Sequence, residues 1–399
     1  MDSNFYVNIQ DFDRVRPEGV SGILRVKNDE EFLESSIASC IDCLDELVIV
    51  FNETSQKSLE IIREMQTQYP EKIKVYEYLP KLYAGNLSKK EYEYVCSLPK
   101  SSPHLLCNYY NYALSKCSYR YVMKIDSDQV YFSQKLNEIT QGYRGGQRYH
   151  CNIFDYCAFA LFLVYELFLL KFNIDLLLNL STNKEKIYEG YLKVVQVLIQ
   201  RYKIPVSLSG TNLYIAPLPL NENSKSNIYI TLGKFFEKSR AILTPFNGIG
   251  DHPIFRLSSD TYFVPFECAD YDKVNGQRYS VIEKLSSVRN MLPVGVCWAH
   301  FSSNRFQNAS DQENKFKMFP DCFLNLRDLI SKDGKVYRDK LFKFSSNWES
   351  SYEKNYWRLV SFSINKIYVN WLSGFFSYQG KIGHNSLKRL SKHNKSKNF

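Results

Sequence analysis

Glycine and proline are scarce in this chain, at 17 and 13 among 399 residues. That scarcity excludes a collagen-like repeat and a low-complexity disordered polymer. No apolar run gives the ~20 residues of a confident membrane-spanning helix, and a mean hydropathy of −0.34 excludes a polytopic membrane protein. The opening MDSNFYVNIQDFDRVRPEG has no basic segment leading into an apolar one. The expectation is therefore a cytoplasmic protein without a secretory leader, whose ten cysteines are free thiols. Cys40 and Cys43 form a CxxC, but no second CxxC completes a zinc site. The pair falls inside a helical pattern, which favours buried structural thiols over a redox couple. No internal repeat is found.

What is present fits a globular chain of two to three units of about 150 residues. Hydrophobic residues make up 44% and charged residues 23%, enough to build cores without disulfide or metal staples. The net charge of +9 suits an anionic partner: nucleotide phosphates, nucleic acid or acidic lipid. With 30 Tyr and 27 Phe, aromatic cores are expected, and aromatic surfaces that grip sugars or a membrane interface.

The patterning predicts strands at 21–26 (SGILRV), 46–51 (ELVIVF), 72–79 (KIKVYEYL) and 119–126 (YRYVMKID), and helices at 29–43, 55–68 and 104–116. This β-α-β-α-β-α-β order argues for an α/β fold, a mostly parallel sheet with helices on both faces. Ligands of such sheets bind beyond the carboxyl ends of the strands. Residues 141–147 (QGYRGGQ) read as a linker. The apolar stretch 154–180 is either a buried helix or one that docks on a bilayer. Residues 204–217 read as a strand pair, or a strand with a turn at Ser209-Gly210; 242–256 as a Gly/Pro loop; 291–301 as a strand. From about residue 310 the pattern is helical and aromatic, notably at 357–377, and the tail carries Lys381, Lys388, Arg389, Lys392, Lys395 and Lys397. That tail is either a solubilising extension or an electrostatic contact with an anionic cytoplasmic leaflet.

Chemistry concentrates at Asp126-Ser127-Asp128, which closes the strand YRYVMKI. Two carboxylates two residues apart, just past a buried strand, address one Mg²⁺ or Mn²⁺ ion, which neutralises a bound diphosphate. A solvated strand-end loop is the bland alternative, and the position after a β-α-β-α-β unit favours the sharper reading. Asp251 in GIGDHP is the first candidate for a general base that accepts a hydroxyl proton, beside glycines that permit close approach of a ligand. His252 is second and Glu267 third, with Asp270 and Asp272 read as solvated loop acids.

Four segments, in order and spanning residues 23–301, resemble the GT-A fold glycosyltransferases of the family-2 type. They are ILRVKNDEEFLESSI (23–37), LVIVFNETSQKS (47–58), NYYNYALSKCSYRYVMKIDSDQ (108–129), and FNGIGDH (246–252) with WAHF (298–301). The resemblance implies a Rossmann-like nucleotide-sugar-binding half over 1–135. It implies an acceptor-binding half over 136–310 with a hydrophobic helical insertion at about 154–200, and a helical, aromatic-rich C-terminal region over 311–399. It implies that Arg25, Lys27 and Glu30 line the nucleotide pocket, that Asn52 meets the base and Asn111 helps hold the donor. Asp126 then touches ribose and shares the metal with Asp128, with His300 as a third ligand. Two positions depart from the pattern: Asn52 replaces an aspartate, and Tyr110 stands where an arginine is usual.

The function so implied is metal-dependent transfer, with inversion, of a sugar from a nucleotide-sugar donor, UDP-linked by preference. The acceptor is an oligosaccharide or lipid-linked glycan in lipopolysaccharide or capsule biosynthesis, with the enzyme on the inner face of the membrane. A sugar nucleotidyltransferase is the alternative enzyme, though RVKNDEEF lacks the glycines of its phosphate loop. A non-catalytic membrane-attached interaction protein is the other alternative. Nucleic acid is not an expected partner, because 42 acids dilute the basic residues.

Overall fold

The computed structural model describes residues 2–145, 149–172, 184–216, 228–231, 234–236, 239–242, 246–272, 276–287, 291–326 and 328. Its first half is the expected alternation. Strands β1 (Val20–Val26), β2 (Glu46–Phe51), β3 (Ile73–Glu77) and β4 (Tyr121–Ile125) are joined through helices α1 (Leu33–Cys40), α2 (Gln56–Gln68), α3 (Lys89–Ser97) and α4 (Leu106–Ser115). The order β4-β1-β2-β3 is parallel throughout. Strands covered on both faces need apolar residues at successive positions, and ELVIVF supplies them. Val48 and Val50 face Tyr109 and Leu114 of α4, whereas Leu47 and Ile49 join Leu33, Ile37 and Ile61 of α1 and α2. Ser55 caps α2 by accepting the Ser58 N–H at 3.2 Å.

The chain then forms β5 (Gln129–Tyr131), α5 (Ser133–Arg144), the helical pair α6 (Ile153–Phe172) and α7 (Lys184–Tyr202), and β6 (Val206–Ile215). Beyond them come β7 (Ile228–Thr231), β8 (Lys234–Phe236), β9 (Ser239–Ile242), β10 (Phe246–Arg256), β11 (Phe263–Asp272), β12 (Gly276–Leu285), β13 (Leu292–His300), α8 (Phe306–Met318) and β14 (Phe323–Asn325). The main sheet runs β14-β7-β6-β10-β4-β1-β2-β3. β10 lies antiparallel between β4 and β6, and β13 pairs parallel with β6 and antiparallel with β5. One sheet thus crosses the 135/136 boundary. This is the α/β, Rossmann-like architecture that the GT-A resemblance implies.

Four local readings change. The 141–147 segment is not all linker: α5 runs to Arg144, and Gly145 closes it with a left-handed φ of 78°. No turn breaks β6 at Ser209-Gly210, where glycine answers a packing need instead. A Cβ on Gly210 would lie 1.9 Å from Trp298 Cε3. The supposed loop at 242–256 contains β10, whose register slips between Asn247 and His252. The supposed loop acids Asp270 and Asp272 lie on β11, within a long β11–β12 hairpin.

Helix α6 packs its inner face on α7, with the Phe162 and Tyr191 rings stacked at 3.9 Å. Its outer face leaves Ile153, Phe154, Tyr156, Leu161 and Val164 exposed. Among the described residues no helix is long and apolar enough to cross a membrane. All ten cysteines are free; Cys40 and Cys43 are buried, and burial pushes the Cys43 thiol up to about 12. The aromatic 357–377 segment and the basic tail lie outside the described residues.

Candidate active site

The carboxyl ends of β1, β2 and β4 meet at one edge. The Asn52 N–H donates to Val26 O at 3.3 Å, Asn28 N–H to Thr54 Oγ1 at 3.0 Å, and Ser36 Oγ to Asp126 O at 2.9 Å. Asn28 and Glu53 hold left-handed φ values of 53° and 44° at these turns, a backbone cost that tends to collect at functional edges.

Asp126 and Asp128 both stand here, each facing a histidine. His252 Nε2 lies 2.9 Å from Asp126 Oδ2, and His300 Nε2 lies 3.1 Å from Asp128 Oδ2. The turn between β4 and β5 explains the pairing geometry. Asp126 follows β4 and meets β10, whereas Asp128 enters β5, which pairs with β13. Trp298 sits between the two imidazoles, with ring centroids 4.9 Å from His252 and 5.8 Å from His300. Burial alone would raise the Asp126 pKa, but Lys124, His252 and Arg25 outweigh it and hold the group below the usual carboxylate range. Burial likewise opposes ionisation of Asp128, and His300 with Arg305 lowers its pKa instead. Both are therefore anionic at neutral pH.

Asp128 and His300 suit a hard divalent cation. Two cis ligands of an octahedral ion, each at about 2.1 Å, are ~3.0 Å apart, close to the 3.1 Å between Asp128 Oδ2 and His300 Nε2. The other ring nitrogen, Nδ1, is 2.7 Å from Asn212 Oδ1, an outer contact of the kind that orients a ligating imidazole. Among the described residues no cluster of three or more His, Cys, Asp or Glu side chains converges on one point. Further coordination would come from phosphate oxygens and water, as Mg²⁺ and Mn²⁺ commonly accept.

The remaining sequence-selected residues fall into different places. Arg25 reaches beneath the aspartates, and its Nε donates to Tyr110 Oη at 3.0 Å. Lys27 is turned outward to Glu53 at 3.1 Å, and Glu30 accepts from Ser55 Oγ at 2.9 Å, fastening the β1 turn to α2. Asn52 is buried and its Nδ2 donates to Tyr78 O at 2.6 Å and Pro80 O at 3.1 Å, leaving Oδ1 without a hydrogen-bond partner. Asn111 does not face the donor edge. Its amide brackets Phe263, giving to Phe263 O at 2.8 Å and accepting from Phe263 N at 2.9 Å, so it fixes the hairpin.

His252 is not a reachable base. It is 3% exposed, and its Nε2 meets both Asp126 and the Gln129 amide, so its place is to position Asp126. Glu267 stands on the exposed hairpin near Cys96 and Tyr92. Asp251 lies in the slipped part of β10, between Asn247, which contacts His300 at 3.2 Å, and His252, which contacts Asp126.

Sequence reading missed four residues. Lys124 pairs with Glu283 at 2.9 Å, Gln129 joins His252 to Tyr131, and Arg305 contacts Asp29 and Asp128, each at 3.1 Å. A lysine inside the buried run YVMKI, on the same strand face as Asp126, was a usable signal, since a buried charge needs a partner. Arg305 carried none, because only the fold brings it back to the aspartates.

The model of the Beta-1,4-N-acetylgalactosaminyltransferase (CgtA) family matches residues 4–215, just over half of the chain. No curated protein matches it. The match takes in β1 to β6 and both aspartates, and sugar transfer explains why acids gather at the strand ends of a nucleotide-binding sheet. The chain belongs to the CgtA family and is a glycosyltransferase of glycan biosynthesis, acting between a nucleotide-sugar donor and a glycan acceptor.

Proposed function

We propose that the protein is a metal-dependent inverting transferase that moves an N-acetylhexosamine from a UDP-linked donor to a glycan. The observation that supports it most is the Asp128–His300 contact of 3.1 Å beside Asp126 at the edge of β1, β2 and β4. Asp128 and His300 would hold Mn²⁺ or Mg²⁺, which supplies charge neutralisation to the diphosphate. Arg25, Lys124 and His252 keep Asp126 ionised and pointed at the donor edge.

The partnerless Asn52 Oδ1 is an acceptor at the end of β2. At 1% exposure it is enclosed by the turn, so the UDP preference rests on the resemblance at this position and not on an open acceptor. The family description names a β-1,4 product. Making a β-glycoside from an α-linked nucleotide sugar is a single displacement with inversion. Asp251 takes the acceptor proton as the new C–O bond forms and the leaving diphosphate departs with the bonding pair.

The test is thermal shift with UDP, GDP and CDP, each with and without Mn²⁺. A ligand bound only by the native state raises stability by about 2.7 kcal/mol at one hundred times its Kd. UDP with Mn²⁺ should stabilise most, and CDP least. Asp251→Asn should keep that stabilisation and lose transfer; unchanged turnover removes Asp251 as the base.

The acceptor is taken to be lipid-linked, met at a membrane surface. The exposed face of α6 supports this, because Phe154 and Leu161 offer apolar area outside the core. Phe154→Asp with Leu161→Asp should reduce co-sedimentation with acidic phospholipid vesicles while leaving UDP stabilisation intact. Equal sedimentation would leave α6 without that role.

A further inference from the structure

Arg305 lies just past β13, at the N-terminal boundary of α8. Its guanidinium reaches three groups: Nη2 is 3.1 Å from Asp29 Oδ1 and 3.4 Å from Ser127 Oγ, and Nε is 3.1 Å from Asp128 Oδ2. One side chain thus ties the β1 turn to the acidic motif, from 276 positions beyond Asp29 and 177 beyond Asp128.

Each aspartate also has a partner other than Arg305. Asp29 Oδ2 accepts the Lys27 N–H at 3.0 Å, and the Asp29 N–H donates to Ser58 Oγ at 3.2 Å. Asp128 has His300. What Arg305 supplies is positive charge between two carboxylates. The other cations of this edge also have partners. Arg25 bonds Tyr110, Lys124 is paired with Glu283 at 11% exposure, and Lys27 faces Glu53. Arg305, at 27% exposure, is less enclosed than Lys124 and, unlike Lys27, lies against the acidic motif itself.

We propose that Arg305 is the donor-diphosphate ligand of this enzyme, held in reserve by Asp29 and Asp128 and handed to the phosphates when the donor binds. The proposal rests on the donor reading given above. Its physical basis is competition at one atom: Asp128 Oδ2 faces both Arg305 Nε and His300 Nε2. A divalent ion held by that oxygen would repel the guanidinium, and a bound diphosphate would offer the fork another anion. The planar fork matches two phosphate oxygens at once, and it remains charged throughout. As the bond from the anomeric carbon to the β-phosphate oxygen breaks, the electron pair stays on that oxygen. Arg305 stabilises the charge and transfers no proton.

Isothermal titration of Arg305→Ala with UDP and with UMP, both in Mn²⁺, separates this from a shape effect. Hydrogen bonds to charged groups contribute enough that UDP affinity should fall about tenfold or more, while UMP affinity changes less than about threefold. Titration of Mn²⁺ alone, followed by its paramagnetic resonance, should show tighter binding in the variant, because the competing guanidinium is gone. Arg305→Lys keeps charge without the fork and should fall between the two for UDP; it also serves if the alanine variant does not fold. Equal losses for UDP and UMP, unchanged UDP affinity, or weaker Mn²⁺ binding would each overturn the proposal. Wild-type protein that binds no UDP with Mn²⁺ would instead overturn the donor reading, a result visible before any variant is made.

Discussion

Asp128→Ala is expected to lose transfer by a factor of about a thousand or more, the scale seen when a positioned charge stabiliser is removed from an active site. Metal-dependent stabilisation by UDP should vanish with it. The fold should survive, since Asp128 lies at the strand edge and removing it leaves His300 in contact with Asn212. Asp128→Asn is the sharper variant. It keeps the shape and replaces one carboxylate oxygen by a donor that faces His300 and Arg305. Circular dichroism and a Mn²⁺ titration series with UDP measure the two halves of the claim. Full activity in Asp128→Asn, with undiminished response to Mn²⁺, would remove the acidic motif from the chemistry.

The second large effect is on stability. Lys124 and Glu283 form an ion pair at 2.9 Å with side-chain exposures of 11% and 10%, joining β4 to the β11–β12 hairpin. Burial alone would depress the Lys124 pKa, but Tyr110, Asp126 and Glu283 outweigh it and raise the pKa. Lys124 is therefore charged at neutral pH and Glu283 is its matched anion. Removing one partner of such a pair strands the other, and Lys124→Ala should cost about 3–5 kcal/mol in urea unfolding. The double variant Lys124→Met with Glu283→Met should recover most of that loss, because two apolar chains replace two desolvated charges. Donor affinity should not recover with it, since Lys124 also places positive charge beside Asp126. A loss below about 1 kcal/mol for Lys124→Ala would place the pair among weak surface contacts.

Much of the first half of the fold was legible from the chain because its signals are local. ELVIVF is apolar at successive positions, as a strand covered on both faces must be, and the acids at 126 and 128 close a buried strand. The second half was harder, for reasons that can be named. Gly210 looked like a turn, but it is the space under Trp298. The glycines and proline of 246–256 looked like a loop, yet they ride in a strand whose slipped register accommodates them. Asn111 was placed on the donor through resemblance, whereas its amide is saturated by the Phe263 backbone. His252 was a candidate base by its titratable ring, and sequence does not show that its Nε2 already meets Asp126 and Gln129. The partner of each aspartate is more than 120 positions away, and periodicity carries no information over such spans.

The parallel pairing of β13 with β6 has a consequence for the life of the chain. Leu292 sits beside Val206, and His300 beside Asn212, so the two strands join only after some ninety intervening residues have been made. The 4–215 stretch shared with the family can lay down the nucleotide cradle early, but it contains neither imidazole of the site nor Arg305. A ribosome-bound chain should therefore form the β1–β4 framework first and complete the site, with His252, His300 and Arg305, last. Loop closure over such a distance is slow relative to local folding.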